Sequence, residues 1–295
     1  MRIMKSHYVH LMALCIVTVW GITFVSTKVL INAGLRPSDI FFLRFLLAYI
    51  CICPFSLRLK LWSDSVKDEM LLLLAGICGG SLYFLTENIA LTYSYCSNVS
   101  LLVCSTPMLT TLLLGLCYRE ERINRKQMLF SLIALAGMSL VVLNGHFFLK
   151  LSPLGDMLAL VAAVTWALYS LLVRILNHKY SMLFITRKVF FYGVLTILPC
   201  FIIWPLQTDV SLYFQPVVIF NILFLGIVAS FLCYWGWNIV MKSLGVVRAT
   251  NYIYLNPVVT LIASYLCLNE RVTILALVGA AMILCGIYFV EYFRK

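Results

Sequence analysis

Charge is what this sequence of 295 residues has least of: Asp, Glu, Lys and Arg together make up 11% of it, against 63% hydrophobic residues. A soluble domain devotes roughly a quarter of its residues to charge because it must solvate its own surface. A water-soluble globule is therefore excluded, and the chain is expected to be an integral membrane protein. Long polar stretches are also missing, which leaves no room for a large soluble domain. The apolar-polar alternation of a transmembrane β-barrel gives way to unbroken apolar runs. Motifs of covalent chemistry are absent too. No H-E-x-x-H, G-x-S-x-G or G-x-x-x-x-G-K-[ST] occurs, so nothing points to a zinc protease, a serine hydrolase or ATP hydrolysis by this chain. His7, His10, His146 and His178 stand near the ends of apolar runs, and the eleven cysteines form no C-x-x-C pair. Most of them lie inside the runs, for instance Cys15, Cys51, Cys104, Cys233 and Cys285, and read as small packing residues. Neither an enzyme nor a metal or other cofactor is expected.

What is present is length enough for many crossings. A helix needs about 20 apolar residues to cross a hydrocarbon core of roughly 30 Å. Polar clusters and Gly or Pro punctuation divide the chain into ten apolar segments, near 8–31, 39–57, 70–92, 97–117, 126–144, 154–176, 182–204, 216–241, 247–268 and 272–292. Backbone groups in hydrocarbon must be satisfied within their own segment, so each is predicted to be a helix. The fold class is thus all-α integral membrane with ten transmembrane helices. Arg2 and Lys5 precede the first run and no small-x-small cleavage pattern follows it, which reads as an uncleaved first helix. With the amino terminus inside, thirteen basic residues, among them Arg58, Lys60, Lys67, Arg119, Arg122, Arg125, Lys126, Lys179, Lys242, Arg294 and Lys295, fall in inner loops and tails, against Arg36, Lys150 and Arg271 outside. That bias predicts a multi-pass protein of the cytoplasmic (inner) membrane with both termini in the cytoplasm. It also turns the formal net charge of +11 into an orientation signal, with no nucleic-acid partner implied. Trp204, Tyr213, Tyr292 and Phe293 fall at expected interfaces.

The chain resembles itself. An offset of 150 aligns Asn88 with Asn238, Ile89 with Ile239, Pro107 with Pro257, Thr110 with Thr260, Leu116 with Leu266, Cys117 with Cys267 and Glu120 with Glu270. Offsets of 143 to 146 pair Trp20 with Trp166, Lys28 with Arg174, Arg44 with Arg187 and Tyr49 with Tyr192. Five spans per half is an odd number, so the second half must be inverted relative to the first. The units are 1–145 and 150–295 of one membrane domain, and such repeats place a substrate site near the midplane between them. Pro107 and Pro257 fall close to mid-span, where each removes a donor and frees the carbonyl of Val103 or Ile253. They read as helix breaks or hinges beside a cavity, or as simple packing kinks.

These residues resemble the drug/metabolite transporter superfamily, specifically its EamA-type ten-helix permeases, over essentially the whole chain. Trp20-Gly21 with Phe24 and Lys28 is similar to the family's first-helix pattern. Pro107, Glu120-Glu121-Arg122, Gln127 and Gly137 resemble its proline, Glu-Arg, glycine signature, and Pro257, Glu270-Arg271, Gly279 and Gly286 repeat it. Gly155-Asp156 and Trp166-Ala167 resemble the start of the second repeat. Phe130 departs from the pattern, standing where a small glycine belongs, and leaves the packing of the fifth helix open. The resemblance implies two inverted five-helix repeats that move small metabolites, often outward, by alternating access through a central cavity.

Residues costly in lipid mark where that cavity should lie. Glu87 stands some 17 residues into the third span, roughly 25 Å along it, with Lys28 at similar depth in the first span and Arg44 entering the second. The three are expected to meet, either as a substrate-charge or proton-sensitive site or as a structural ion cluster. Trp237 occupies the place of Glu87 in the second half, so the acid breaks the symmetry. Trp20 and Trp166 are expected to face each other across the repeat axis, with Tyr169 one turn from Trp166 on the same face. Asn251, Tyr252, Tyr254 and Asn256 make the stretch before Pro257 too polar for lipid, with Asn98, Ser100, Ser105 and Thr106 as the counterpart. Asn88 and Asn238 are either site residues or interhelical ties. Asp156, Glu120 and Glu270 sit near helix ends and read as structural. The expected partners are a small-molecule substrate, the lipid bilayer and, as an open question, protons; oligomeric state is not legible. An amino acid is the leading cargo, exported by alternating access; the alternatives are a neutral or sugar-like solute, or a membrane scaffold or receptor that transports nothing.

Overall fold

A computed structural model describes residues 6–118, 124–143, 152–203, 205–206, 209–268 and 273–293. The expectations placed on Arg2, Lys5, Arg119, Glu120, Glu121, Arg122, His146, Lys150, Trp204, Glu270, Arg271, Arg294 and Lys295 fall outside these residues.

Every regular element among the described residues is helical. Apart from the single turn Val210–Tyr213, the helices are α1 (Ser6–Asn32), α2 (Pro37–Ser56), α3 (Val66–Tyr93), α4 (Cys96–Val103), α5 (Thr106–Cys117), α6 (Arg125–Leu143), α7 (Pro153–Leu176), α8 (Met182–Ile203), α9 (Pro216–Leu244), α10 (Val246–Asn251), α11 (Asn256–Leu268) and α12 (Ile274–Tyr292). Among the described residues, the six helical stretches His7–Asn32, α2, α3, α7, α8 and α9 are long and apolar enough to cross a bilayer, and Thr106–Cys117 and Leu277–Gly286 are shorter apolar stretches. The chain is a multi-pass membrane protein.

Local chemistry explains the starts. Proline occupies the first turn of α2, α5, α7 and α9, where its fixed φ suits the helix and its missing donor is no loss. Ser65, Ser152 and Ser181 cap α3, α7 and α8 by accepting from Asp68, Gly155 and Phe184 backbone N–H groups. Asp156 lies in the first turn of α7, as its helix-dipole reading requires.

Two helices carry wide π turns. Ile77–Ser81 interrupts α3 and Phe224–Leu232 interrupts α9; Gly79 and Ala229 inside them stand 150 positions apart, the offset of the sequence repeat. Gly79 is required there by close approach, since a Cβ would lie 2.3 Å from the Tyr169 ring. The two proline positions also coincide with irregular backbone. A turn at Cys104–Ser105 separates α4 from α5, and a 3₁₀ turn, Tyr252–Leu255, separates α10 from α11.

The centre of the bundle is aromatic: Phe41, Phe45, Phe84, Phe190, Trp20, Trp166, Trp237 and Tyr234 are all buried. Large apolar side chains such as Ile50, Leu116, Ile202 and Leu277 face outward, as a hydrocarbon solvent demands. α6 packs closely on α12. A Cβ on Gly137 would lie 2.6 Å from the Gly279 carbonyl oxygen, so glycine lets the two backbones touch. Phe130 does not prevent this, because its ring stacks on Phe289 and Phe293 with centroids at 4.7 and 5.5 Å. The packing reading of the cysteines needs correction: Cys104 and Cys233 are buried and Cys51 is half-buried, but Cys15 and Cys285 are exposed on the outside of the bundle.

Candidate functional site

A cavity of about 30 Å³ lies among the helices. Trp20, Thr23 and Phe24 reach it from α1, Arg44 from α2, and Tyr83, Phe84 and Glu87 from α3. The proline-associated breaks supply Val103, Thr106, Ile253 and Asn256, and Trp166 and Tyr234 complete the wall from α7 and α9. The space holds about one water, whereas pockets that enclose a small ligand measure ~300 Å³ or more. The side chains that line the site leave it too narrow for such a ligand.

Aromatic edges form one wall. Trp20 and Trp166 meet in a T-shape at 5.3 Å and 87°, Trp166 lies 4.8 Å from Tyr83, and Tyr234 sits 5.5 Å from Trp166. Arg44 and Glu87 supply the charge, both buried at 2% and 5% exposure. The Arg44 guanidinium stacks 4.0 Å from the Phe84 ring centroid and its Nε donates to Ser230 Oγ at 3.0 Å. Among the described residues, no ion pair within 4.0 Å joins Glu87 to Arg44 or Lys28. Two buried polar atoms of the lining, Trp166 Nε1 and Asn256 Oδ1, have no hydrogen-bond partner.

The irregular backbone hands carbonyls to side chains around this wall. Trp20 Nε1 donates to Ala229 O at 3.0 Å and Tyr234 OH to Gly79 O at 2.6 Å, one in each π turn. The carbonyls that the prolines free are also taken: Thr106 Oγ1 donates to Val103 O at 2.6 Å and Cys104 Sγ to Ile253 O at 3.3 Å.

The family profile described as "EamA-like transporter family" matches residues 7–143 and 153–292. The chain belongs to the EamA-like transporter family. An "Uncharacterized transporter" of Archaeoglobus fulgidus is 30% identical over 93% of this chain and 95% of its own. A "Probable amino-acid metabolite efflux pump" of Escherichia coli strain K12 is 27% identical over 94% and 92%, and a "Probable terminal-alkyne amino-acid exporter" of Streptantibioticus cattleyicolor is 24% identical over 97% and 94%. A solved crystal structure, 16% identical, superposes over 99% of both chains with a TM-score of 0.78 and shows a shared fold. Family members are transporters rather than enzymes.

Within this EamA-type transporter the expected residues separate into two groups. Trp20, Arg44, Glu87 and Trp166 come together at the cavity. Lys28 does not join them: its Nζ donates to Leu91 O at 2.5 Å and to Ser94 O at 3.5 Å, at the C-terminal end of α3, where a cation meets the negative end of the helix dipole. Asn88 and Asn238 tie helices together, Asn88 to Pro37 O at 3.1 Å, and Asn238 to Thr186 Oγ1 at 2.8 Å while accepting from Tyr169 OH at 3.0 Å. Trp237 packs 4.9 Å from Trp20, behind the lining. Asn251 and Tyr254 are buried away from the cavity, and the Tyr252 hydroxyl pairs with His10 Nδ1 instead. Thr106 and Asn256, expected from their polar stretches, do line the cavity; Tyr83, Tyr234 and Thr23 are lining residues that sequence reasoning did not name, and Tyr83 stands one helical turn before Glu87, a spacing that could have flagged it.

A second polar cluster, also unforeseen, ties the first turn of α3 to α8 and the loop before it. Glu69 pairs with Lys188 at 2.5 Å, and accepts from Tyr192 OH and from Ser63 N–H. Asp68 pairs with Lys179 at 3.0 Å and accepts from Tyr180 OH at 2.9 Å; the Asp68 hydrogen bond raises Lys179 above its ordinary pKa. Arg187, the repeat mate of Arg44, donates to Ser56 O at 3.0 Å and also to Lys60 O, closing the end of α2. Arg174, the mate of Lys28, lies over the Tyr118 ring at 3.7 Å.

Proposed function

We propose that this transporter exports an amino acid or closely related metabolite across the cytoplasmic membrane by alternating access through the aromatic cavity. On this reading the chain crosses the bilayer ten times as two inverted five-helix units, 1–145 and 150–295, with both termini in the cytoplasm. The two stretches matched by the family profile, the π turns 150 residues apart and the two proline breaks support the repeat; the distribution of basic residues supports the orientation.

The observation that carries the cargo assignment is a buried cation and a buried anion, Arg44 and Glu87, lining one cavity without pairing. A buried charge is costly unless a partner offsets it, and a zwitterion offers one of each sign: carboxylate to Arg44, ammonium to Glu87. The aromatic wall suits the apolar part of such a molecule. Relatives named as exporters of amino-acid metabolites agree with this cargo. Alternating access then opens and closes the collapsed site, and a proton on Glu87 is the route by which the bilayer's proton gradient would couple to the cycle.

The test is counterflow by the purified protein in liposomes across a metabolite panel. Amino acids should exchange, and Glu87→Gln should abolish exchange or its pH dependence. Exchange of neutral sugar-like solutes alone would overturn the zwitterion reading, and no exchange of any metabolite would overturn transport of small metabolites altogether. Unchanged flux in Glu87→Gln would make the acid structural.

A further inference from the structure

The charged pair accounts for the ends of a zwitterion but leaves two cavity groups unused. Trp166 Nε1 is a donor and Asn256 Oδ1 an acceptor; both residues line the cavity, both are 4% exposed, and neither atom has a partner. Trp237 Nε1, Asn88 Oδ1 and Thr110 Oγ1 are also buried without a partner, but those residues do not line the cavity, whereas Trp166 and Asn256 do. Trp20, the sequence mate of Trp166, spends its indole N–H on Ala229 O, and the buried amide of Asn238 is bonded through both its oxygen and its nitrogen. A buried polar group left unmatched is unfavourable, and the cavity has room for about one bridging water.

We infer that Trp166 and Asn256 are specificity-determining residues that select cargo bearing a neutral hydrogen-bonding group, such as a hydroxyl or an amide, in addition to its charged ends. The inference rests on the amino-acid reading above and names the class of side chain. Trp166 donates to the acceptor atom of that group and Asn256 accepts its hydrogen bond. An aliphatic side chain of equal size fills the same space and leaves both groups unmatched. Sites built to bond a polar group reject the analogue that lacks it far more strongly than apolar pockets reject an extra methylene. Asn256 owes its position to the break before Pro257: it begins α11 just after the 3₁₀ turn, on the backbone segment the proposed cycle would move.

The experiment is counterflow with isosteric pairs, threonine against valine and asparagine against leucine, using the full chain in liposomes. The intact protein should favour the polar member at least tenfold. Trp166→Phe, which keeps a ring and removes only the N–H and the second ring, and Asn256→Leu should each bring the ratio toward one, chiefly by slowing the polar member, with a monodisperse size-exclusion profile and an unchanged melting temperature in detergent as the control for folding. Equal exchange of both members by the intact protein would overturn the inference while leaving amino-acid transport standing, as would variants that slow both members alike. No exchange of any amino acid would overturn the amino-acid reading, and this inference with it.

Discussion

Lys188 and Glu69 offer the sharpest measurement of what holds one end of the bundle. Their side chains are 5% and 18% exposed, their charges 2.5 Å apart, and Lys188 also lies 4.5 Å from the Trp62 ring. Removing one partner of a buried pair costs about 3–5 kcal/mol, because the other charge is left without compensation. Glu69 would keep two donors after Lys188→Met, the Tyr192 hydroxyl and the Ser63 N–H, so the loss should fall at the lower end, about 3 kcal/mol. Neutralising the second group as well, in Lys188→Met with Glu69→Gln, removes the stranded charge and should recover about 2 kcal/mol of that loss. The assay is a double-mutant cycle on equilibrium unfolding of the purified protein in a single detergent. If Lys188→Met costs under ~1 kcal/mol, or if the double variant loses the sum of the two singles, the pair does not hold α3 to α8 and the reasoning fails.

Three further substitutions probe packing and the reassigned lysine in the same assay. Gly137→Ala should cost about 2–3 kcal/mol, the upper part of the overpacking range, because its Cβ would meet backbone at Gly279 and Ile283; Gly236→Ala, which meets chiefly the Ile16 Cδ1 tip at 3.0 Å, should cost under ~1 kcal/mol, and equal losses would refute the backbone-contact argument. Lys28→Met should lower stability by roughly 1–2 kcal/mol through the lost bond to the Leu91 carbonyl, while liposome exchange per folded molecule stays within about twofold; a selective loss of exchange would return Lys28 to the site.

The helical runs were legible because a wall facing lipid has to be apolar over its full length, a constraint that leaves a continuous trace in sequence. The meeting of Trp20 with Trp166, and of Arg44 with Glu87, was legible from repeat offset and depth. Depth alone failed for Lys28, since a long side chain can lie at the level of a cavity and still reach the end of the next helix; only its direction decides, and sequence does not encode direction for a single residue. Tyr83 and Tyr234 were missed for a related reason. The π turns of α3 and α9 insert a residue into the helical register just before these tyrosines, rotating the remainder of each helix by about 100° relative to a regular one, so a face drawn across the turn is the wrong one. Gly79-Gly80 hinted at the turn in α3, and the Tyr83–Glu87 spacing, which lies wholly after that turn, was the other local hint.

Those same irregular stretches constrain how a transport cycle could proceed. Ala229 O, Gly79 O and Ile253 O are bonded by Trp20, Tyr234 and Cys104, and in each case the donor and the carbonyl belong to different stretches of the family match, 7–143 and 153–292. On the proposed mechanism, rocking one unit against the other stretches all three bonds. A carbonyl bared toward hydrocarbon costs several kcal/mol, which would make such a motion prohibitive on the lipid side of the bundle. Beside a cavity the cost is largely met by water, and Trp20, Tyr234 and Ile253 all line the cavity. On that mechanism the three ties are placed where opening the site would supply their replacement partners, so that hydration of the cavity and separation of the two proposed units would be one event rather than two.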